Sequence, residues 1–306
     1  MIYLDAPAGV GFSASNSSAD DTASDKGLAA DVVAFLLEWR KLYPALQGNP
    51  LWLAGESYAS HYVPHITLRL LKHNEAAVEA ERFDFRGFLL GNPSTDPLYD
   101  NEGRLTYWWS HGLISQNVKK EVEHSCDFEE VIITPDIEVK TRKESKACRK
   151  AVQDAISEMG PINIQNDALH ANTSGELDWA YKGCTEGVTF KYSVDDQLDS
   201  MLPLHRQIME TAPKLHILIY TGDADGLVPL TGTRRWVFEL GTEEGKKKKT
   251  HWRHWEDKRG QVGGYFEEYE GFTFATVRRA GHEAPYTAKE RTFYVYKTWL
   301  SVRDIV

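Results

Sequence analysis

The sequence has few cysteines, no long apolar run and no excess of basic side chains, and each shortage excludes a class of protein. The three cysteines, Cys126, Cys148 and Cys184, form no CxxC pair, which argues against zinc-ribbon and thioredoxin-like proteins. No stretch approaches the roughly 20 consecutive apolar residues of a membrane-spanning helix. Acidic side chains outnumber basic ones, 45 to 35, and the net charge is −10, so nucleic acid is not an expected partner.

Recognisable cofactor and metal motifs are also missing. Neither a glycine-rich dinucleotide loop nor a P-loop occurs in a phosphate-binding context, so no cofactor is expected. His61 and His65 stand four residues apart on a predicted helix but lack the glutamate of HExxH, and they are interpreted as packing residues rather than metal ligands. The first residues show no basic region followed by an apolar stretch, so no signal peptide is visible.

What is present predicts an α/β protein. A hydrophobic content of 42% is enough for a sizeable core. Apolar side chains recur at helical spacing over residues 28–43, and short apolar runs at 51–54, 88–90, 215–220 and 272–277 predict strands. Short strands that alternate with helices predict a parallel sheet with helices on both faces.

One stretch differs from the rest of the chain in its residue composition. Residues from about 99 to 196 hold all three cysteines and polar helical runs such as 140–159. We interpret this stretch as an insertion folded over the sheet, so that residues 1–306 form a single domain. The lysine run at 246–249 predicts a solvated loop.

Three predicted strands are followed by candidate catalytic residues, and Ser57 follows the first of these strands. It follows the predicted strand at 51–54 and precedes a helix predicted to begin near His61. Gly55-Glu56-Ser57 begins the Gly-x-Ser-x-Gly pattern of a nucleophile elbow, a tight turn that exposes the serine hydroxyl above the sheet. The octapeptide alone fits equally well a serine that caps the helix.

Asp225 and His282 follow the other two strand ends. Asp225 lies four residues before Pro229 and is better placed to orient an imidazole than Asp223, which is expected to form the turn. His282 follows a strand and a glycine. Each signal is weak alone, but the order Ser57, Asp225, His282 is the order of the α/β-hydrolase triad.

Several segments together resemble one protein family. The ten residues from Gly55, GESYASHYVP, resemble the GESYAGHYVP block of serine carboxypeptidases, and the segment from Tyr3, YLDAPAGVGFS, looks like that family's LDQPVGVGFSYS block. Residues 91–97, 222–229, 260–265 and 280–286 are similar to the remaining blocks in order and spacing. The resemblance covers essentially the whole chain and implies the α/β-hydrolase fold, with a mainly helical insertion, or cap, at about 99–196.

The resemblance also implies the catalytic roles. Ser57 would be the nucleophile, His282 the general base and then acid, and Asp225 the residue that holds the imidazole. The backbone N–H of Tyr58 would supply one oxyanion donor. The implied activity is serine-type carboxypeptidase activity through an acyl-enzyme, with peptide or protein C-termini as substrates.

Two glutamates are implied to bind the terminal carboxylate of the substrate. Glu56 looks like the family residue that shares a proton with that carboxylate, and Glu283 stands where some family members carry a second such glutamate. A hydrogen bond between two carboxyl groups needs one of them protonated, so a preference for acidic pH follows.

A departure from the family pattern precedes Tyr3. Family members carry a WLNGGPGCSS-type segment there, whose glycine supplies the second oxyanion N–H and whose cysteine bonds to the insertion. The expectation is therefore an N-terminally truncated chain with impaired activity, since one lost oxyanion donor costs on the order of 10²–10³ in kcat. Cys126 and Cys148 would pair within the insertion, and Cys184 would lack its partner.

The resemblance implies a location in the secretory pathway, either extracellular or vacuolar/lysosomal, where Asn16 and Asn172 in their sequons would be glycan acceptors. Two alternative functions stay open at this point. One is acyl transfer on the same scaffold, with an alcohol in place of water. The other is a non-catalytic binding or remnant protein. The sequence does not indicate the oligomeric state.

Overall fold

The computed structural model describes residues 1–17, 22–133, 139–142, 145–160, 162, 191–242 and 247–301. Cys184 and Asn172 lie outside the described residues, so the predictions made for them stay predictions. No helix among the described ranges is both long enough and apolar enough to cross a membrane.

The strands and helices of the described residues follow in chain order. The strands are β1 (Thr22–Ala23), β2 (Leu51–Glu56), β3 (Phe85–Gly91), β4 (Val131–Ile133), β5 (Val139–Thr141), β6 (Lys191–Tyr192), β7 (His216–Gly222), β8 (Lys248–Glu256), β9 (Val262–Tyr269) and β10 (Thr273–Val277). The helices are α1 (Asp25–Leu42), α2 (Ala59–Ala76), α3 (Pro97–Ser110), α4 (Gln116–Ser125), α5 (Lys146–Met159), α6 (Val194–Leu198), α7 (Leu202–Thr211), α8 (Leu230–Thr242), α9 (Ala284–Thr287) and α10 (Lys289–Leu300).

The central sheet is mixed rather than wholly parallel. Its strand order is β2-β3-β7-β10-β9-β8, and the first four strands run parallel to one another. β9 is antiparallel to both β10 and β8. A tight turn joins β8 to β9, with the Asp257 N–H donating to the Gln261 carbonyl at 2.8 Å. So short a connection can join only antiparallel strands, which is why the prediction of an all-parallel sheet is wrong for this edge.

Helices cover both faces of the sheet, as the sequence predicts. Along β7, Ile217 and Ile219 lie in one apolar cluster with side chains of α2, α7 and α8. Leu218 and Tyr220 lie in another cluster, with side chains of α10. Because successive side chains of a strand point to opposite faces, this alternation places the two helical layers on opposite sides.

Helix α1 forms an outer layer against α2. Its buried side chains, at three- and four-residue spacing, share a cluster with α2 residues; they are Leu28, Ala29, Val32, Val33 and Leu36. Ser24 caps its first turn by accepting from the Gly27 N–H. The helix ends at Leu42, and Pro44 begins a short 3₁₀ turn, so proline ends the helix as predicted.

The chain between β3 and β7 carries its own small core. Side chains of α3, α4, α5, β4 and β5 share one apolar cluster, and a disulfide joins Cys126 to Cys148 with Cα atoms 4.7 Å apart. Lys140 and Thr141 lie in β5, paired with β4, so the helix predicted over 140–159 begins only at Lys146.

The lysine run near 246–249 is not simply a loop. Lys248 and Lys249 lie in β8, an edge strand of the sheet. The Lys248 ammonium lies 2.7 Å from Glu267 Oε2 on the neighbouring strand and 5.0 Å from the centre of the Tyr269 ring. These cross-strand contacts stabilise a strand where a run of like charges alone predicts a loop.

Candidate active site

Ser57 occupies a tight turn between β2 and α2. Its φ of 57° lies in the left-handed region, which costs a residue other than glycine on the order of 1–3 kcal/mol. Backbone hydrogen bonds hold the turn: the Ser57 N–H donates to Gly91 and the Ser94 N–H donates to the Ser57 carbonyl. Tyr58, not Ser57, is the N-cap of α2, and among the described residues the cap has no side-chain hydrogen bond. The alternative interpretation of Ser57 as a capping serine is therefore wrong.

His282 contacts Ser57 across the carboxyl end of the sheet. It follows β10 and is almost fully buried. Its Nε2 lies 2.8 Å from Ser57 Oγ, and its Nδ1 lies 2.7 Å from Asp225 Oδ2. β2, β7 and β10 are parallel members of one sheet, so their carboxyl ends meet at the same edge and bring the three residues together.

Asp225 is fully buried and its carboxylate is saturated with hydrogen bonds. Oδ1 accepts from the backbone N–H groups of Leu227 and Val228 at 2.8 and 3.1 Å. Oδ2 accepts from His282 and, at 2.7 Å, from the side-chain amide of Asn92. These four partners offset the cost of burying a charged group and fix the plane of the carboxylate.

The surroundings of His282 make its imidazole a stronger base. Burial disfavours the imidazolium, but the Asp225 carboxylate, aided by Glu56 and Glu283, outweighs burial and raises the pKa of His282 above its ordinary value. The arrangement has the parts needed to take a proton from the Ser57 hydroxyl and hold it on the ring.

Glu56 adds a second carboxyl group beside the imidazole. Its Oε1 lies 3.6 Å from His282 Nε2, is buried, and has no hydrogen-bond partner among the described residues. Burial raises the pKa of Glu56 to about 7; His282 lowers it, and Asp225 and Glu283 raise it further. Glu283 itself is exposed at the start of α9.

Tyr58 lies at the N-terminal end of α2. Its backbone N–H has no hydrogen-bond acceptor among the described residues, and an N–H at a helix N-terminus favours a neighbouring negative charge. The Tyr58 ring stacks on His61 with centroids 4.4 Å apart, and its hydroxyl donates to Asp25 Oδ1 at 3.3 Å. His61 Nδ1 lies 3.1 Å from Asp25 Oδ2, so His61 belongs to a buried polar cluster, which sequence reasoning did not identify.

Asn92 is the main site residue that sequence reasoning missed. It follows β3 with a φ of 41°, is fully buried, and accepts from the Gly222 N–H at 3.2 Å while its amide donates to Asp225. A signal existed, because the asparagine comes directly after a buried strand and before a proline. Asparagine is among the few residues that tolerate a positive φ.

The remaining predicted residues lie apart from this centre. Asp223 accepts a hydrogen bond from its own backbone, as predicted for a turn, and also accepts from the Arg279 N–H of the β10–α9 loop at 2.6 Å. Asn16 is exposed in the N-terminal segment. The Cys126–Cys148 disulfide lies in the chain between β3 and β7.

Known proteins resemble the chain in sequence and in fold. The serine carboxypeptidase family model matches residues 1–168 and 163–302. Two Arabidopsis thaliana relatives, Serine carboxypeptidase-like 26 and Serine carboxypeptidase 24, are 32% and 30% identical; each alignment covers 100% of this chain and 73% of the relative.

A solved structure gives the fold independently. It is that of Kex1Δp, a prohormone-processing carboxypeptidase from Saccharomyces cerevisiae, which matches with a TM-score of 0.75 at 18% identity. The match covers 97% of this chain and 73% of that one. The predicted α/β-hydrolase fold, with helices on both faces of a mixed sheet, is confirmed.

Proposed function

The chain belongs to the serine carboxypeptidase family, and from that premise we propose that it hydrolyses the C-terminal peptide bond of peptides and proteins through an acyl-enzyme. The observation that carries the proposal is the hydrogen-bonded series from Ser57 Oγ through His282 to Asp225, with links of 2.8 and 2.7 Å. Such a series activates a serine hydroxyl for attack on a carbonyl carbon.

The proposed reaction has two halves. His282 Nε2 takes the hydroxyl proton as Ser57 Oγ attacks the scissile carbonyl, and the Tyr58 N–H at the start of α2 donates to the developing oxyanion. His282 then gives the proton to the departing amine, which leaves as the released C-terminal residue. Water, deprotonated by the same nitrogen, hydrolyses the acyl-serine and restores the hydroxyl.

Glu56 and Glu283 are proposed to recognise the substrate's terminal carboxylate. Two observations support this role: Glu56 Oε1 has no hydrogen-bond partner within the described part of the chain, and the pKa of Glu56 is raised to about 7. A protonated carboxyl group is able to donate to a carboxylate. Above about pH 7 the ionised form of Glu56 would repel the substrate carboxylate, so the site would favour activity in acid.

The segment 99–196 is proposed to act as a cap over this site. Support comes from its apolar cluster, which includes Leu227 and Val228 of the loop that carries Asp225. A disulfide in the same segment supports an oxidising compartment, and the proposed location is therefore the secretory pathway.

The test is release of the C-terminal residue from an N-blocked dipeptide at about pH 5, where Glu56 is mostly protonated. The expected result is release that depends on Ser57, absent in Ser57→Ala, and much weaker with the matching dipeptide amide. A cooperative thermal melt of both proteins first establishes that they fold. Release that survives Ser57→Ala contradicts the proposed route.

The same assay separates the alternatives. An added alcohol that captures the acyl group in preference to water identifies an acyltransferase, and a folded chain that neither releases nor transfers identifies a non-catalytic protein. The expected impairment stays a prediction, and it is wrong if turnover of this chain falls in the ordinary range of ~1–10³ s⁻¹.

A further inference from the structure

Two side chains of helix α3 donate hydrogen bonds to the loop that carries Asp225. Trp108 and Arg104, one turn apart on α3, both reach this loop. The Trp108 indole N–H donates to the Gly226 carbonyl at 2.9 Å, and Arg104 Nε donates to the Leu227 carbonyl at 2.7 Å. Both side chains are buried, with exposed fractions of 1% and 5%.

These two carbonyls belong to the peptide units that bind Asp225. The Gly226 carbonyl and the Leu227 N–H are the two ends of one planar unit, and that N–H donates to Asp225 Oδ1. The Leu227 carbonyl and the Val228 N–H form the next unit, whose N–H donates to the same oxygen. In a planar trans unit the two groups point in opposite directions, so fixing the carbonyl fixes the direction of the N–H.

The hydrogen bonds from Trp108 and Arg104 to these carbonyls also strengthen the backbone hydrogen bonds that Asp225 accepts. A donor on the carbonyl polarises the peptide unit and makes its N–H a better donor, and this effect is larger in a low-dielectric interior. Arg104 contributes a charged donor, which forms stronger hydrogen bonds than a neutral one. Its positive charge is therefore relayed through a single peptide unit towards the Asp225 carboxylate.

The charge of Arg104 is itself supported by its neighbours. Nη1 donates to Asn101 Oδ1 at 2.8 Å, and burial, which lowers the pKa of Arg104, is countered by the Asp100 and Asp225 carboxylates. Burial raises the pKa of Asp100 to about 7, although Arg104 lowers it. The buried guanidinium is therefore close to two carboxylates, those of Asp100 and Asp225.

We propose that Arg104 and Trp108 are positioning residues for the triad. They act through the peptide units at 226–228, which hold the Asp225 carboxylate in the plane and at the distance that orient the His282 ring. The proposal rests on the proposed function of Ser57, His282 and Asp225. It assigns to α3 a part in positioning the triad as well as in the apolar cluster of the chain between β3 and β7.

The experiment compares Trp108→Phe, which removes only the N–H donor and part of the ring, with Arg104→Lys and Arg104→Met. We expect about a tenfold fall in kcat for Trp108→Phe and more for Arg104→Met, at nearly constant KM, because small misplacements of catalytic groups cost up to about 10²-fold. Arg104→Lys, which keeps a charged donor, should recover part of the Arg104→Met loss. The rate at which a fluorophosphonate labels Ser57 should fall in parallel.

Two matched controls lie elsewhere in the fold. Arg40 is buried and donates to the Glu81 carbonyl at 2.8 Å, so Arg40→Met loses an equivalent bond far from Asp225. Trp236 is fully buried and its Nε1 has no partner among the described residues, so Trp236→Phe loses ring volume but no hydrogen bond. Both controls should keep the native labelling rate of Ser57.

A double-variant comparison separates positioning from general destabilisation. In an Asp225→Asn background, labelling of Ser57 should be slow and no slower after Trp108→Phe, because the tryptophan acts through Asp225. If Trp108→Phe slows the labelling of Ser57 in the Asp225→Asn background as much as it does in the wild-type background, the proposal is overturned. It is also overturned if, in the wild-type background, Ser57 is labelled at the native rate in both Trp108→Phe and Arg104→Lys. These two variants decide the question even if Arg104→Met fails to fold.

The labelling rate also separates this proposal from the proposed function. If the native chain is labelled at Ser57 but releases no C-terminal residue, the proposed carboxypeptidase activity is wrong. The labelling rates of the variants then test the role of α3 by themselves. A folded native chain that does not label at Ser57 overturns both.

Discussion

Glu56 Oε1 lies 3.6 Å from His282 Nε2, the same nitrogen that meets Ser57 Oγ at 2.8 Å. A carboxyl group whose proton is lost only near pH 7 thus stands beside the base of the triad. Its ionisation state sets the charge that both the imidazole and an incoming substrate encounter.

Glu56→Gln should remove the pH dependence of peptide binding. In the proposed role, protonated Glu56 donates to a substrate carboxylate and the ionised form repels it, so native KM should rise as the pH passes about 7. Glutamine stays a donor at every pH, so its KM should stay flat over the same range. The measurement is KM between pH 5 and 8, with the dipeptide amide as the control substrate. A native KM that does not change across pH 7 contradicts the role of Glu56.

The same substitution should flatten the dependence of stability on pH. A carboxyl group whose folded pKa lies above its ordinary 4.5 binds its proton more tightly when folded, so the free energy of unfolding falls as pH rises from about 4.5 to 7. Melting temperatures at the two ends of that window should therefore differ less in Glu56→Gln than in the native chain. The raised pKa of Asp100 acts in the same direction across this window, and that of His282 does so above about pH 6.5, so a residual slope is expected.

Asp225→Asn should disable the triad while Asp223→Asn should not. An asparagine amide facing His282 Nδ1 favours the wrong tautomer, and the usual loss for such a change is about 10⁴-fold in kcat. Asp223, two residues away, bonds the Arg279 N–H instead and should be needed only for loop stability. The check is kcat for both variants at equal folded fraction. A comparable loss in Asp223→Asn would contradict the choice between the two carboxylates.

Asn92→Ala should lower both kcat and stability, because it leaves Asp225 Oδ2 with one donor fewer and the Gly222 N–H without its acceptor. A buried group that loses its partner costs about 1–3 kcal/mol of unfolding free energy. Asn74 provides the matched control: its side chain bonds the backbone of Phe83 through both amide atoms, away from the triad. Asn74→Ala should destabilise without a change in kcat, and a kcat loss shared by both variants would argue for a purely structural role of Asn92.

Breaking the Cys126–Cys148 disulfide should destabilise the fold by about 3 kcal/mol, since the bond closes a loop between residues 22 positions apart. Reductant should lower the melting temperature of the native chain and leave that of a Cys126→Ser, Cys148→Ser double variant unchanged. The denatured native chain should titrate as one free thiol, that of Cys184. Two or more thiols would contradict the disulfide, and none would contradict the unpaired Cys184.

Local sequence signals were enough to predict the strand ends and their order. Local apolar runs set β2, β7 and β10, and a serine, an aspartate and a histidine follow these runs in the order of a hydrolase triad. Parallel strands in one sheet share a carboxyl edge, so chain order and strand ends are enough to predict convergence. Helix α1 was equally predictable, because its apolar spacing and its terminal proline are local signals.

The groups that bond Asp225 and its loop come together only in the folded chain. Asn92, Arg104 and Trp108 bond the aspartate or its loop from positions 133, 123 and 118 residues away along the chain. No local pattern encodes such contacts, because they depend on how α3 and β3 pack against the end of β7. The antiparallel direction of β8 and β9 was hidden for a similar reason: strand direction is set by the connecting turn and by the neighbouring strand, not by the side chains of the strand itself.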